Sequence, residues 1–162
     1  MSINVQKTKT IVYADDDVVT LTAYKNRLER EGFEVKTARD GVEAMKIMSM
    51  SVPDLVILDL EMPKFNGGEV LKFIRTTASL NAVPVVILST NSIVDAAQEH
   101  FLEHANKRLL KVDCNFPTLL RTIQGLLSGA DEKNKNDEAT SAESVDDIHS
   151  IQLHIAKRFA NA

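Results

Sequence analysis

A few positions carry side chains whose types and spacing could do chemistry. Asp15-Asp16-Asp17 stand in a row, and Asp59 ends the apolar run Leu55-Val56-Ile57-Leu58, with Glu61 two places on. Ser89-Thr90 and Lys111 close two further apolar runs. A carboxylate at the end of a buried strand is poorly placed for packing and well placed for reaction. Crowded carboxylates repel one another unless a cation compensates. Oxygen donors from Asp15, Asp16 and Asp59 suit a hard divalent ion, and Mg²⁺ is usually held by a few carboxylates and waters. Such an ion, with the Lys111 ammonium and the Ser89 hydroxyl, could neutralise a phosphoryl group while a carboxylate oxygen of Asp59 attacks it. The set reads as aspartyl phosphorylation, provided the fold brings these residues together.

The elements that must do so are legible. TIVYA (10–14) precedes a helix from about Val18 to Glu31, in which Val18, Leu21, Tyr24 or Lys25, and Leu28 recur at helical spacing, and Gly32 closes it. FEVKTA (33–38) alternates as an edge strand does. After Asp40-Gly41 a helix reaches about Met50; LVILD follows, then the loop KFNGG and a helix over roughly 68–77. Pro84 opens VVILS, a helix runs on to His104, RLLK (108–111) forms a weaker fifth strand, and a last helix covers Phe116 to Leu127. Alternating strands and helices imply an α/β fold, a doubly wound parallel sheet with helices on both faces. In such sheets reactive groups gather at the carboxyl ends of the strands, where Asp15, Asp59, Ser89 and Lys111 fall.

Composition narrows the field. Lys and Arg number 19 against 23 Asp and Glu, which gives no support to direct nucleic-acid binding. Aromatics are few and Trp is absent, so a platform for stacking bases is not expected. The single cysteine, Cys114, excludes an internal disulfide framework and fits a reducing compartment. The polar N-terminus and the lack of a long apolar run argue against a membrane association and for a cytoplasmic protein.

From residue 9 to about 128 the chain resembles the receiver domain of bacterial two-component response regulators. The resemblance is carried by ADDD after the first strand, LDLEMPKFNG around Asp59, VVILST at the fourth strand and Lys111, in matching order and spacing. It implies five parallel strands in the order 2-1-3-4-5 and phosphate transfer to Asp59 from a histidine kinase or phosphotransfer protein. It further implies Mg²⁺ among Asp15, Asp16, Asp59 and the backbone carbonyl of Glu61, with Ser89 as switch hydroxyl and Lys111 as phosphate-binding lysine. The implied protein is a signalling switch that catalyses only its own phosphorylation and dephosphorylation.

Three departures from the family pattern stand out. Lys111 is followed by Val112 and not by the usual proline with its cis bond. A non-proline cis bond costs about 2.5–4 kcal/mol, so a trans bond and a rerouted loop are expected, with Pro117 too distant to substitute. Arg108 occupies a position that is commonly aromatic. A guanidinium is costly to bury unpaired, so it is expected to exchange acidic partners at the surface. Thr90 replaces a small Ala or Gly and should narrow access beside Ser89, which together with the Glu61 side chain would alter the lifetime of the phosphate.

Plainer roles compete for some residues. Asp17 reads as a helix cap. Met45, Met48 and Met50 read as core filler or helix surface, and His100 and His104, at metal spacing but without a third ligand, as surface. A pseudo-receiver, binding proteins independently of phosphorylation, is the main alternative; a haloacid-dehalogenase-type hydrolase is disfavoured because Asp59-Leu60-Glu61 is not Asp-x-Asp.

The expected domains are a receiver over 1–128, a flexible linker over 129–143 and an amphipathic helix over 144–160. The linker lacks large apolar residues. Ser144 would cap the helix, and Val145, Ile148, Ile151, Ile155 and Phe159 form one apolar stripe. A lone helix of that length needs a surface, so a downstream protein target or self-association through it is expected. His154 with Lys157 faintly resembles a phosphotransfer motif, but that activity belongs to a helical bundle.

Overall fold

A computed structural model describes residues 7–90 and 96–129. Within them, strands and helices alternate as the apolar periods require: β1 (Thr10–Ala14), α1 (Val18–Arg30), β2 (Glu34–Ala38), α2 (Gly41–Met50), β3 (Leu55–Asp59), α3 (Gly67–Thr76), β4 (Val85–Ser89), α4 (Ala96–Leu102), β5 (Lys107–Leu110) and α5 (Phe116–Leu127). All pairings are parallel, in the order β2-β1-β3-β4-β5. The expected doubly wound sheet is therefore what the chain forms. The expected linker over 129–143 extends beyond Gly129, and with the 144–160 helix it lies outside the described residues.

Burial follows position in the sheet. Every residue of the central strands β3 and β4 is buried, while β2 at the edge keeps Glu34 exposed. The even-numbered β1 and β3 residues Val12, Val56 and Leu58 pack with α2, α3 and α4, where Met45 and Met48 are core and Met50 is exposed. Ile11, Tyr13, Leu55 and Ile57 pack on the opposite face with α1 and α5. The two-residue alternation of a strand thus carries Asp15 and Asp59 toward the α1/α5 side.

Four helix starts have a local cause. Asp17, Asp40, Asn66 and Asn115 cap α1, α2, α3 and α5 by accepting a backbone N–H, and Asn66 forms a reciprocal capping box with Glu69. Gly32, at φ +90°, ends α1. Element ends differ from the sequence expectation by a residue or two. Pairing with β4 stops at Ser89↔Leu110, so Lys111 lies just past β5, and α4 stops at Leu102. Beyond α4 the chain tightens into turns, and the His104 carbonyl accepts from Arg75 Nε.

Gly67 is fixed by close approach. A Cβ there would lie well inside contact distance of the Asp59 carbonyl, while one at Gly68 would meet only the Asn66 side chain. Gly67→Ala is expected to lower stability by about 1–3 kcal/mol through overpacking. Gly68→Ala should change it by less than about 1 kcal/mol, and paired denaturant melts would check the contrast.

Candidate functional site

Four charged residues meet at the carboxyl ends of β1, β3 and β5. Asp59, the last residue of β3, is 2% exposed, and Asp15, one past β1, is fully buried. Adjacent registration of β1 and β3, with Ala14 opposite Leu58, brings the two acids side by side. Lys111 Nζ lies 2.7 Å from Asp15 Oδ2 and 3.0 Å from Asp59 Oδ2, so one ammonium bridges two buried carboxylates. The Lys111 backbone N–H donates to the Ser89 carbonyl at 2.8 Å, which seats it beside β4.

Asp15 is held from several directions. Its Oδ1 accepts from the Asp17 N–H at 3.0 Å, and its Oδ2 accepts from the Tyr13 hydroxyl at 3.1 Å. Asp59 Oδ1 accepts from the Glu61 N–H at 3.3 Å. Asp16 is exposed at the mouth, and one carboxylate oxygen from each of Asp15, Asp16 and Asp59 lies within 4.8 Å of the others. Among the described residues, this is the grouping able to hold a metal ion. Its donor set is all oxygen and acidic, with a single ammonium opposing it, and therefore fits Mg²⁺.

Electrostatics follow from burial. Desolvation raises the Asp59 pKa above the ordinary carboxylate value, against the opposing pull of Lys111. Burial pulls Lys111 down, but its hydrogen bonds to Asp15 and Asp59 outweigh that and leave its pKa raised. Burial, then the Asp15 charge, pushes Tyr13 far upward, so its phenol stays neutral and remains a donor. The exposed Asp17 is lowered by hydrogen bonds from the Thr20 hydroxyl and the Val19 N–H, in its capping role.

The remaining expected residues also have definite places. Ser89 is buried at the end of β4, and Thr90 and the Glu61 side chain are exposed. The Lys111–Val112 bond is trans, Val112 is exposed, and Pro117 sits in the first turn of α5. Arg108 takes an acidic partner, Glu99 of α4, at 2.5 Å. His100 and His104 are exposed, their rings 6.2 Å apart. Tyr13 is the site residue the sequence reading missed. Its signal was available: a tyrosine two places before Asp15 shares a strand face with it.

A 2-1-3-4-5 sheet with an acid cluster and a lysine at one rim defines an aspartate-centred, doubly wound α/β protein. Residues 11–124 match the family model of the response regulator receiver domain, and the chain belongs to that family. It is 32% identical over 122 residues to the probable methanogenesis regulatory protein FilR2 of Methanothrix harundinacea, covering 70% of this chain and 78% of that one. The polar-differentiation response regulator DivK of Brucella ovis is 24% identical over 123 residues, covering 76% of this chain and 99% of its own. Among solved structures, the response regulator TrrA of Thermotoga maritima in complex with Mg(2+)-BeF is 31% identical, with a TM-score of 0.66 over 74% of this chain and 99% of that one. The chemotaxis response regulator CheY4 of Vibrio cholerae is 27% identical, with a TM-score of 0.66 over 74% of this chain and 98% of that one.

The raised Asp59 pKa has a consequence for stability. Folded Asp59 takes up its proton at higher pH than unfolded Asp59, so its ionised form costs stability above the folded pKa. That cost shrinks as pH falls through the folded value and vanishes below the unfolded one, about 3.9. Asp59→Asn should therefore be more stable than wild type at pH 7, by about 1 kcal/mol, since Lys111 still pairs with Asp15. Urea melts from pH 7 to pH 3 would check whether the advantage fades toward the acid end.

Proposed function

We propose that Asp59 accepts a phosphoryl group from a histidine kinase or phosphotransfer protein. The observation that carries this reading is the Lys111 ammonium held between Asp15 and Asp59 at the rim of the sheet. Receiver domains of two-component systems are signalling switches and not classical enzymes, which fits a chain with one reactive carboxylate and a cation beside it. An oxygen of Asp59 forms the new bond to phosphorus as the bond from phosphorus to the donor nitrogen breaks, and the electron pair leaves with the imidazole. Lys111 turns from its carboxylate partners to the phosphoryl oxygens, and the Ser89 hydroxyl donates to one of them. Asp15, Asp16 and Asp59, with the backbone carbonyl of Glu61, would hold Mg²⁺, which when bound supplies positive charge to the transferring group.

Phosphorylation would then alter contacts with a downstream protein target, or self-association through the 144–160 helix joined to the 1–128 receiver by the 129–143 linker. Arg108 and Glu99 stand where such a change would be read, in place of a turning aromatic ring. Thr90 and the Glu61 side chain would set the phosphate lifetime from the exposed side of the site. No helix among the described residues is long and apolar enough to cross a membrane, in keeping with a cytoplasmic setting.

Incubation with Mg²⁺ and acetyl phosphate should add one phosphoryl group to wild type and none to Asp59→Asn, read by intact mass. Lys111→Ala should slow the gain by two orders of magnitude or so, as removal of a charge-stabilising donor does. A folded wild type that gains nothing would support the pseudo-receiver reading, and continuous turnover of an external phosphoester would indicate a hydrolase.

A further inference from the structure

Tyr13 has no part in the chemistry proposed above, yet its hydroxyl is built into the acid cluster. The side chain is fully buried on the α1/α5 face, with its ring 5.9 Å from that of Tyr24 at 76°. A buried phenol needs a hydrogen-bond partner, and this one donates to Asp15 Oδ2. A carboxylate offers about four lone-pair positions over its two oxygens. At Asp15, Tyr13 and Lys111 take up Oδ2, and the Asp17 N–H takes one position on Oδ1. One position is left.

We infer that Tyr13 is a positioning residue for the cation site: its hydroxyl locks the Asp15 carboxylate so that it presents one oxygen to the ion beside Asp16 and Asp59. The inference rests on the reading of those acids as the Mg²⁺ ligands. Its physical content is orientation without added charge. A phenol hydroxyl holds the carboxylate by a hydrogen bond and brings no charge to the site. Should Lys111 turn toward a phosphoryl group, the Tyr13 hydroxyl and the Asp17 N–H keep the buried Asp15 in place.

Tyr13→Phe removes the hydroxyl and keeps the ring. Mg²⁺ titrations by calorimetry on the full chain should give an affinity about tenfold weaker than wild type, at the lower end for groups that orient a metal ligand. A merely structural role would lower the melting temperature and leave the affinity of the folded protein unchanged, and that result would overturn the inference. Asp15→Asn serves as the reference for loss of a ligand. A wild type that binds no Mg²⁺ would instead bring down the site reading, and this inference with it. A second measurement covers a Tyr13→Phe variant that fails to fold. The chain has two tyrosines and no tryptophan, so Tyr24→Phe leaves Tyr13 as the sole intrinsic fluorophore. Its emission should change with Mg²⁺ along the same isotherm as the calorimetry; a flat signal at saturating Mg²⁺ counts against the coupling.

Discussion

Two buried carboxylates sharing one ammonium is the constraint on which this structure turns. Asp15 and Asp59 are almost wholly removed from water, and the Lys111 ammonium is the cation set between them. The sharing dictates topology. β1 and β3 must be neighbours to bring the acids together, and Lys111 must reach past β4 from the far strand. Asp59 stands two strand spacings from β5, about 10 Å, and Asp15 three, so the long lysine stem and the acids' own side chains must bridge the gap together. The Lys111 N–H, bonded to the Ser89 carbonyl, fixes where that reach begins.

The two ends of the sheet do different work. At the amino ends of the strands, polar groups serve as clamps. Arg75 donates to the carbonyls of His104, Asn81 and Val83 and to the Asn106 side chain, which itself accepts from the Val85 N–H. Asp54 accepts from the Thr10 N–H and from Lys9. Those interactions satisfy one another and leave little reactive. At the carboxyl ends, charge is concentrated and only partly balanced, with three acids facing one ammonium.

Much of this was legible in the sequence because it rests on local rules. Apolar runs fixed five strands, and Asp17 and Asp40 marked helix starts through hydrogen bonds within a few residues, whereas the Asn66–Glu69 capping box begins inside the stretch read as a loop. The convergence of Asp15, Asp59 and Lys111 followed from the strand-end rule for parallel sheets. What escaped was set by tertiary proximity. Lys111 lies just beyond β5 because the ladder ends with β4, a fact about the partner strand. Arg108 needed an acid, but only packing of α4 against β5 selects Glu99. Tyr13 shares a strand face with Asp15 in the sequence, but only the folded geometry aims its hydroxyl at that carboxylate.

Gly67 carries one more consequence. The first turn of α3 rests against the carbonyl of Asp59 with no room for even a methyl group between them, and the Gly67 N–H is tied to the Leu60 carbonyl. A joint without clearance transmits displacement without loss. The backbone of Asp59 and the start of α3 therefore cannot move independently, and a shift of a few tenths of an ångström in one is a shift in the other. The missing side chain makes this glycine a bearing surface between the acid-lined rim and a helix whose Arg75 clamps the amino ends of β4 and β5.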